Sequence, residues 1–243
     1  MSVLDRLRIR GAAQVVIFNW PKLAGGLAFA VAGHLLRRRM PWPVRLIALG
    51  AAAWTPLSVL ASWWVYDLSP LRRWRFFPAP QPGRVLVAVA GFDEASPAIR
   101  ARWPAAELRV VDIVTEPEVS VRRARAWAAG GHAAAGVPPV IDPARFEVGD
   151  GWDVIVLAQS LHEIRDPADR AVLLQRVRAA LAEDGDIVVV DHLRDAAGIV
   201  AFGPGAWHFG TGRGYREAFA EAGLTVRDRG RVGVLVHWWR LGR

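Results

Sequence analysis

The stretch WDVIVLAQSLHEIRDPADRAVLLQRVRAALAEDGDIVVVDHL, from Trp152 to Leu193, decides the architecture. It opens on an apolar run, Trp152–Ala158, with the length and β-branched content of a buried strand. A short turn containing Leu161, His162 and Glu163 leads to a helix that Asp166 caps and Pro167 starts. Asp169 sits in the first turn, where the helix dipole favours a negative charge, and Val172, Leu173, Val177 and Leu181 recur on one face. Gly185 is expected to stop the helix in the left-handed conformation before a second apolar run, Ile187–Val190. Strand, helix and strand in this order form a right-handed crossover whose two strands lie parallel.

The same alternation continues outward. Upstream, Val85–Ala90, Leu108–Val111 and Val137–Ile141 read as strands, with Ser96-Pro97 opening one helix and Glu118–Ala129 forming another. Downstream, Gly214–Ala222 reads as a short helix, and Leu224–Arg229 and Val232–Trp239 as a closing hairpin about Gly230-Arg231. The fold class is therefore α/β, a doubly wound Rossmann-like sheet of five parallel strands finished by an antiparallel pair. Ligands of such sheets bind outside the carboxyl ends of the strands. The residues at those exits are Gly91-Phe92-Asp93, Asp112, Asp142, Gln159-Ser160 and Asp191-His192.

The first third of the 243-residue chain is different in kind. Leu46–Tyr66 is a run of 21 residues without a charge, and a helix of that length covers about 31 Å, close to a bilayer core. Leu23–Leu36 covers only about 21 Å, a half-span or the second arm of a tight hairpin. Trp63, Trp64, Tyr66 and Trp74 with Arg72, Arg73 and Arg75 have the makings of a headgroup belt. The apolar run starts late and has no small-residue cleavage site, so it does not read as a signal peptide. Pro78–Gly83, PAPQPG, is a linker by composition, which divides the chain into an apolar helical membrane-associated segment 1–77, a linker 78–83 and a main domain 84–243.

Hydrophobic residues make up 53% of the chain and mean hydropathy is +0.19, opposite to the signature of disorder. The absence of cysteine excludes disulfides, thiolate metal centres and thiol nucleophiles. The net charge of +8 invites a nucleic-acid reading. Its distribution rejects it: residues 1–75 hold eleven Lys/Arg against two acids, whereas the rest holds 20 basic and 21 acidic groups. The main domain has no surplus with which to neutralise phosphates.

At the first strand exit, VLVAVAGFDEAS (Val85–Ser96) offers one glycine, Gly91, and Asp112 follows 21 positions later at the second exit. A carboxylate there suits the hydroxyls of a ribose, whereas the missing glycines disfavour a dinucleotide pyrophosphate. Asp93 and Glu94 would repel phosphate and suit a cationic ligand. With these features and the Trp152–Leu193 segment, the chain resembles the class I S-adenosylmethionine-dependent methyltransferases over about residues 84–240. The segments Ala90–Ile113 and Thr115–Ala126, and WWVYD at Trp63–Asp67, are similar to a membrane-tethered bacterial branch.

The resemblance implies that Ala90, Gly91 and Phe92 line the methionine part of S-adenosylmethionine, with Asp93 beside them. It also implies that Asp112 binds the ribose, Asp142 the adenine amino group, and Gln159 with Ser160 the sulfonium side. His162 and His208 are the candidate bases, His192 being a third histidine near a strand exit. No ligand spacing reads as a metal site. The glycine-rich Ala201–Gly214 is a candidate lid whose Trp207, His208 and Phe209 would touch the acceptor. The expectation is methyl transfer to a lipophilic or membrane-borne small molecule. The domain would be cytoplasmic, at a bacterial inner membrane, with the hairpin's ends both cytosolic or the segment monotopic. One Lys against thirty Arg accords with a GC-rich bacterial source. The thin glycine turn motivates the alternative, a non-catalytic membrane-anchored scaffold or cofactor sensor.

Overall fold

The structure, a computed structural model, describes residues 9–78, 81–132 and 137–243. Six strands, β1 (Arg84–Val89), β2 (Glu107–Asp112), β3 (Trp152–Ala158), β4 (Leu181–His192), β5 (Thr225–Val232) and β6 (Val236–Gly242), form one sheet in the order β2-β1-β3-β4-β6-β5. The first four are parallel and β6 and β5 close the sheet antiparallel. Helices α3 (Ser96–Arg102), α4 (Val119–Trp127), α5 (Pro167–Ala180), α6 (Ala196–Phe202) and α7 (Gly212–Glu221) follow the strands. The doubly wound class is as expected; four details of the main domain are not.

The expected strand Val137–Ile141 is reduced to a single parallel bridge between Val140 and Asp112. Pro138 and Pro139 have no N–H to give a ladder, so pairing cannot extend. Gly185 does not end α5. The helix stops at Ala180, Leu181 turns extended (ψ 144°), and Gly185 lies in β4, where a Cβ would come 2.9 Å from the Trp152 carbonyl oxygen. Gly230 and Arg231 are paired residues of β5, and the hairpin turns instead at Gly233, with φ +61°. Ser96 does not cap α3: the Asp93 carboxylate does, accepting from the N–H groups of Ala95 (3.2 Å) and Ser96 (2.8 Å).

Apolar side chains fill both sheet faces. Leu86, Ile155, Leu157, Leu173 and Phe219 pack on one side, and Val87, Val156, Val188 and Ile99 on the other. Val65, Leu71, Trp74 and Phe77 belong to this second core, and the Arg102 guanidinium donates to the Phe77 carbonyl at 2.8 Å and to that of Trp74. Residues 64–77, expected with the apolar segment, are thus packed onto the sheet.

The apolar segment itself is a helical hairpin, α1 (Arg10–Leu35) and α2 (Trp42–Trp63). The first arm is a full 26-residue helix rather than a half-span. Small residues bring the arms together. A Cβ on Gly33 would lie 2.3 Å from the Ala48 Cβ, and one on Gly26 would lie 2.7 Å from Thr55 Oγ1. At the base, the buried Asp67 carboxylate accepts from the N–H groups of Gly11 and Ala12, both at 2.9 Å, satisfying orphan donors of the first turn of α1. Both helices are long and apolar enough to cross a membrane by length and composition, and only 6% of each apolar window is buried.

Candidate active site

A cavity of 1610 Å³ lies at the carboxyl ends of β1, β3 and β4, between the sheet and the hairpin. Ala90, Phe92 and Glu94 line it from the β1 exit; Gln159, His162 and Glu163 line it from the β3 exit. His192 and Arg194 come from the β4 exit, and His208 from the 3-10 turn Gly203–His208. Phe18, Lys22 and Trp54 of the hairpin complete the wall. Phe18 rests on Phe92 with ring centroids 5.5 Å apart, and Arg123 of α4 donates to the Phe18 carbonyl at 3.2 Å. The apolar helices are therefore part of the site.

Of the residues expected to hold the cofactor, Ala90, Phe92 and Gln159 face this cavity. Gln159 is held at φ +49° after β3, and its buried Nε2, beside the Tyr66 hydroxyl, completes no well-formed hydrogen bond among the described residues. A buried amide donor left in that state on a cavity wall fits a polar ligand. Asp93 is buried and spent on α3, and Ser160 is fully buried with its hydroxyl on the Ala88 carbonyl at 3.0 Å. Asp142 is exposed, accepting from the Ala144 N–H at 2.9 Å with Arg145 at 3.7 Å. Those three do not converge on the cavity: Asp93 and Asp142 are used by their own cap and turn, and Ser160 by the Ala88 carbonyl of β1.

Gly91 and Asp112 do meet, but on each other. Asp112, 1% exposed, accepts from the Gly91 N–H (2.9 Å), the Val114 N–H (3.0 Å) and Arg125 Nε (2.8 Å). Arg125 also donates to the Val114 carbonyl. Arg125 lies on α4, 13 positions beyond Asp112, and no sequence motif marks it as the partner of that carboxylate. The ribose position expected at Asp112 is thus occupied by a guanidinium. Gly91 has φ +76°, and a Cβ there would lie 2.4 Å from Val121 Cγ1 and 3.1 Å from the Val121 carbonyl oxygen. Gly91→Ala is expected to cost about 1–3 kcal/mol of stability through strain and overlap with α4; a urea midpoint unchanged from wild type would show that α4 gives way freely.

The polar wall is a chain of hydrogen bonds. Asp191, fully buried at the end of β4, accepts from the His162 N–H (3.0 Å), His162 Nδ1 (2.5 Å), the His192 N–H (2.8 Å) and the Tyr215 hydroxyl (2.8 Å). Asp191 appeared in the sequence only as a strand exit, and Tyr215 only within a helix. Burial opposes a charge on His162, but Asp191 and Glu163 outweigh it and push the imidazole up to about 10. Burial raises the Asp191 carboxyl, and His162 and Tyr215 overcome that to hold it below its ordinary value. His192 behaves oppositely: burial lowers it to about 4 despite Asp191. Its Nδ1–H donates to the Leu235 carbonyl at 2.9 Å, leaving Nε2 to accept the Tyr66 hydroxyl at 3.2 Å.

Glu163 accepts from His208 Nε2 at 3.0 Å and lies 3.5 Å from His162 Nε2. Ligand atoms of His162, Glu163 and His208 fall within 4.8 Å of one another, a grouping the sequence spacing did not disclose. Arg165 Nη2 donates to His208 Nδ1 at 2.9 Å, which puts the His208 proton on Nε2, toward Glu163. A metal on that Nε2 would force a proton onto Nδ1, against the guanidinium. The trio therefore reads as a proton-linked chain. Glu94, facing the cavity, is pushed up to about 7 by lost hydration first and by Asp67 and Asp93 next, with Arg10 opposing.

No family model and no curated protein matches the chain. Solved structures do. A methyltransferase from Aquifex aeolicus, described as S-adenosylmethionine-dependent, superposes with a TM-score of 0.56 at 13% identity, over 77% of this chain and 96% of that one. An O-methyltransferase family 2 protein from Planctomyces limnophilus, in complex with apigenin, gives 0.52 at 21% identity over 82% and 69%. An O-methyltransferase from neocarzinostatin biosynthesis, holding S-adenosylmethionine and 2-hydroxy-5-methyl naphthoic acid, gives 0.52 at 20% identity over 90% and 69%. The chain has the class I S-adenosylmethionine-dependent methyltransferase fold.

Proposed function

We propose that this protein transfers the methyl group of S-adenosylmethionine to a weakly acidic hydroxyl of a lipophilic small molecule taken up at a membrane surface. The observation that carries the reading is the single cavity that joins the strand exits to the apolar hairpin. Its 1610 Å³ exceeds the range of about 300–1,000 Å³ usual for one ligand, leaving room for donor and acceptor together. Ala90, Phe92 and the Gln159 amide would hold the methionine end, with the Glu94 carboxyl facing a cationic centre. Asp112 is the carboxylate placed for the ribose once Arg125 withdraws from it.

The bound cofactor would supply a sulfonium-activated methyl group that leaves a neutral thioether. The chain supplies alignment and charge. The weakly acidic acceptor hydroxyl would give its proton to solvent on binding, and His162, held by Asp191 and kept cationic, would stabilise the resulting oxyanion, whose lone pair takes the methyl carbon as the carbon–sulfur bond breaks. Glu163 and His208 would orient that imidazolium from the cavity side. The two neighbours with hydroxylated aromatic ligands support an acidic hydroxyl as the accepting group.

The buried Arg125–Asp112 pair favours a second reading, a scaffold that no longer binds the donor. Calorimetry on the detergent-solubilised full chain separates them. Heat is expected with S-adenosylmethionine and none with NAD, and tritium from the labelled methyl donor should pass into lipid extract. No heat from wild type and Arg125→Ala alike would leave only the scaffold.

A further inference from the structure

We propose that the hairpin does not cross the bilayer but lies within one anionic leaflet, together with the α6 face of the catalytic domain, so that the cavity opens into lipid. The membrane posture does not depend on the reaction; only the lipid's role as a route for the acceptor rests on the proposed methyl transfer. The arms run antiparallel, with Gly33 against Ala48, Gly26 against Thr55 and Gly11 against Tyr66. Their base is fixed to the domain through Asp67 and through Tyr66 on His192. Higher up, Trp54 Nε1 donates to the Val200 carbonyl at 3.1 Å, and the Trp54 ring covers Gly203 at a distance that would leave a Cβ 2.9 Å away.

Beyond Trp54 and Gly26, among the described residues, no hydrogen bond ties the hairpin to the domain. From Trp54 back to Trp42 is about 18 Å of helix, and from Gly26 to Leu35 about 14 Å. A bilayer core is about 30 Å thick. With the domain in water, the tip reaches the middle of the membrane and no further. That tip carries Arg37, Arg38, Arg39 and Arg45, all exposed, and a midplane position is costly for arginine. A hairpin tilted along the interface removes the conflict: its apolar flank enters the acyl region and the four guanidinium groups return to anionic headgroups.

The exposed apolar surface matches that posture. Leu35 (73%), Trp42 (71%) and Ile47 (63%) on the hairpin are joined, at the Trp54 contact, by Val200 (64%) and Trp207 (66%) of the catalytic domain. Leu46 and Ile47 on one side and Pro204, Gly205 and Trp207 on the other line the cavity at this place. An acceptor dissolved in the leaflet would therefore enter without crossing water.

The chain has no cysteine, so single-cysteine variants report cleanly. Arg38→Cys, Val200→Cys and, as an exposed control on β4, Glu183→Cys would be added as full-length protein to preformed sealed vesicles of phosphatidylglycerol and phosphatidylcholine. A membrane-impermeant maleimide is then supplied outside. Glu183→Cys and Arg38→Cys are expected to react, and Val200→Cys to react at least tenfold more slowly than Glu183→Cys. Labelling of Arg38→Cys only after the vesicles are opened would mean a crossing hairpin and overturn the proposal. Val200→Cys reacting as fast as the control would remove the α6 face from the membrane. Converting the four tip arginines to glutamine should cut flotation on the anionic vesicles at least tenfold and leave flotation on pure phosphatidylcholine unchanged. Equal flotation of wild type on both lipids, or none on either, overturns the anionic leaflet as partner.

Discussion

Replacing Asp112 by alanine will lower the unfolding free energy by about 3–5 kcal/mol, the cost of breaking a buried ion pair from one side. The loss has identifiable parts. The Gly91 and Val114 N–H groups lose their acceptor, and Arg125, with a side chain 20% exposed, keeps a charge it cannot fully hydrate. Arg125→Ala should cost less, about 1–3 kcal/mol, because Asp112 retains two backbone donors. The same variant tests the cofactor role. With the guanidinium gone, Asp112 can take ribose hydroxyls, and S-adenosylmethionine should bind about tenfold tighter, or 1.4 kcal/mol. Denaturant melts give the first pair of values and calorimetry the second. Weaker donor binding by Arg125→Ala would mean that the guanidinium holds the site open rather than filling it.

His162→Gln should slow methyl transfer by about 10²–10³-fold in kcat while leaving the KM for S-adenosylmethionine nearly unchanged. Glutamine keeps a donor for Asp191 but cannot carry the charge proposed to stabilise an acceptor oxyanion. His208→Ala, one hydrogen bond further out through Glu163, should cost less than tenfold. A kcat for His162→Gln within threefold of wild type would remove His162 from the mechanism. The same imidazole links stability to pH. Its folded value is raised to about 10 from 6.5, so its contribution is complete below 6.5 and is lost as pH rises through 10. Asp191, depressed in the folded state, contributes above the carboxylate range and loses that contribution on acidification. Wild type should therefore lose more thermal stability than His162→Gln between pH 6.5 and 10, and parallel curves would show that His162 is neutral.

Several elements were legible because their causes are local. Asp166 caps α5 on the Ala168 N–H at 2.8 Å, and the runs Trp152–Ala158 and Val85–Ala90 are buried strands almost to the residue. Local reading misplaced the hairpin turn and the end of α5 for one reason. Gly230 and Gly185 are glycines of close approach, needed by the Trp238 indole and by the Trp152 carbonyl, not glycines of positive φ. The prolines at 138 and 139 were visible, yet their effect depends on Val137–Ile141 lying at the sheet edge beside β2.

Periodicity, charge segregation and the spacing of strand exits are properties of neighbouring residues, and by themselves they gave the α/β sheet, the apolar basic segment ahead of it and an expected crevice at the strand exits; of the eight residues expected to hold the cofactor there, Ala90, Phe92 and Gln159 line the cavity. Which carboxylates remain available there depends on residues far away in the chain. Arg125 reaches Asp112, Tyr215 and His162 converge on Asp191, and His208 comes back 45 residues to Glu163. Only the tertiary structure decided these pairings, and with them the seat of the charge, because a buried ionisable group takes its state from whatever packing brings within hydrogen-bond reach.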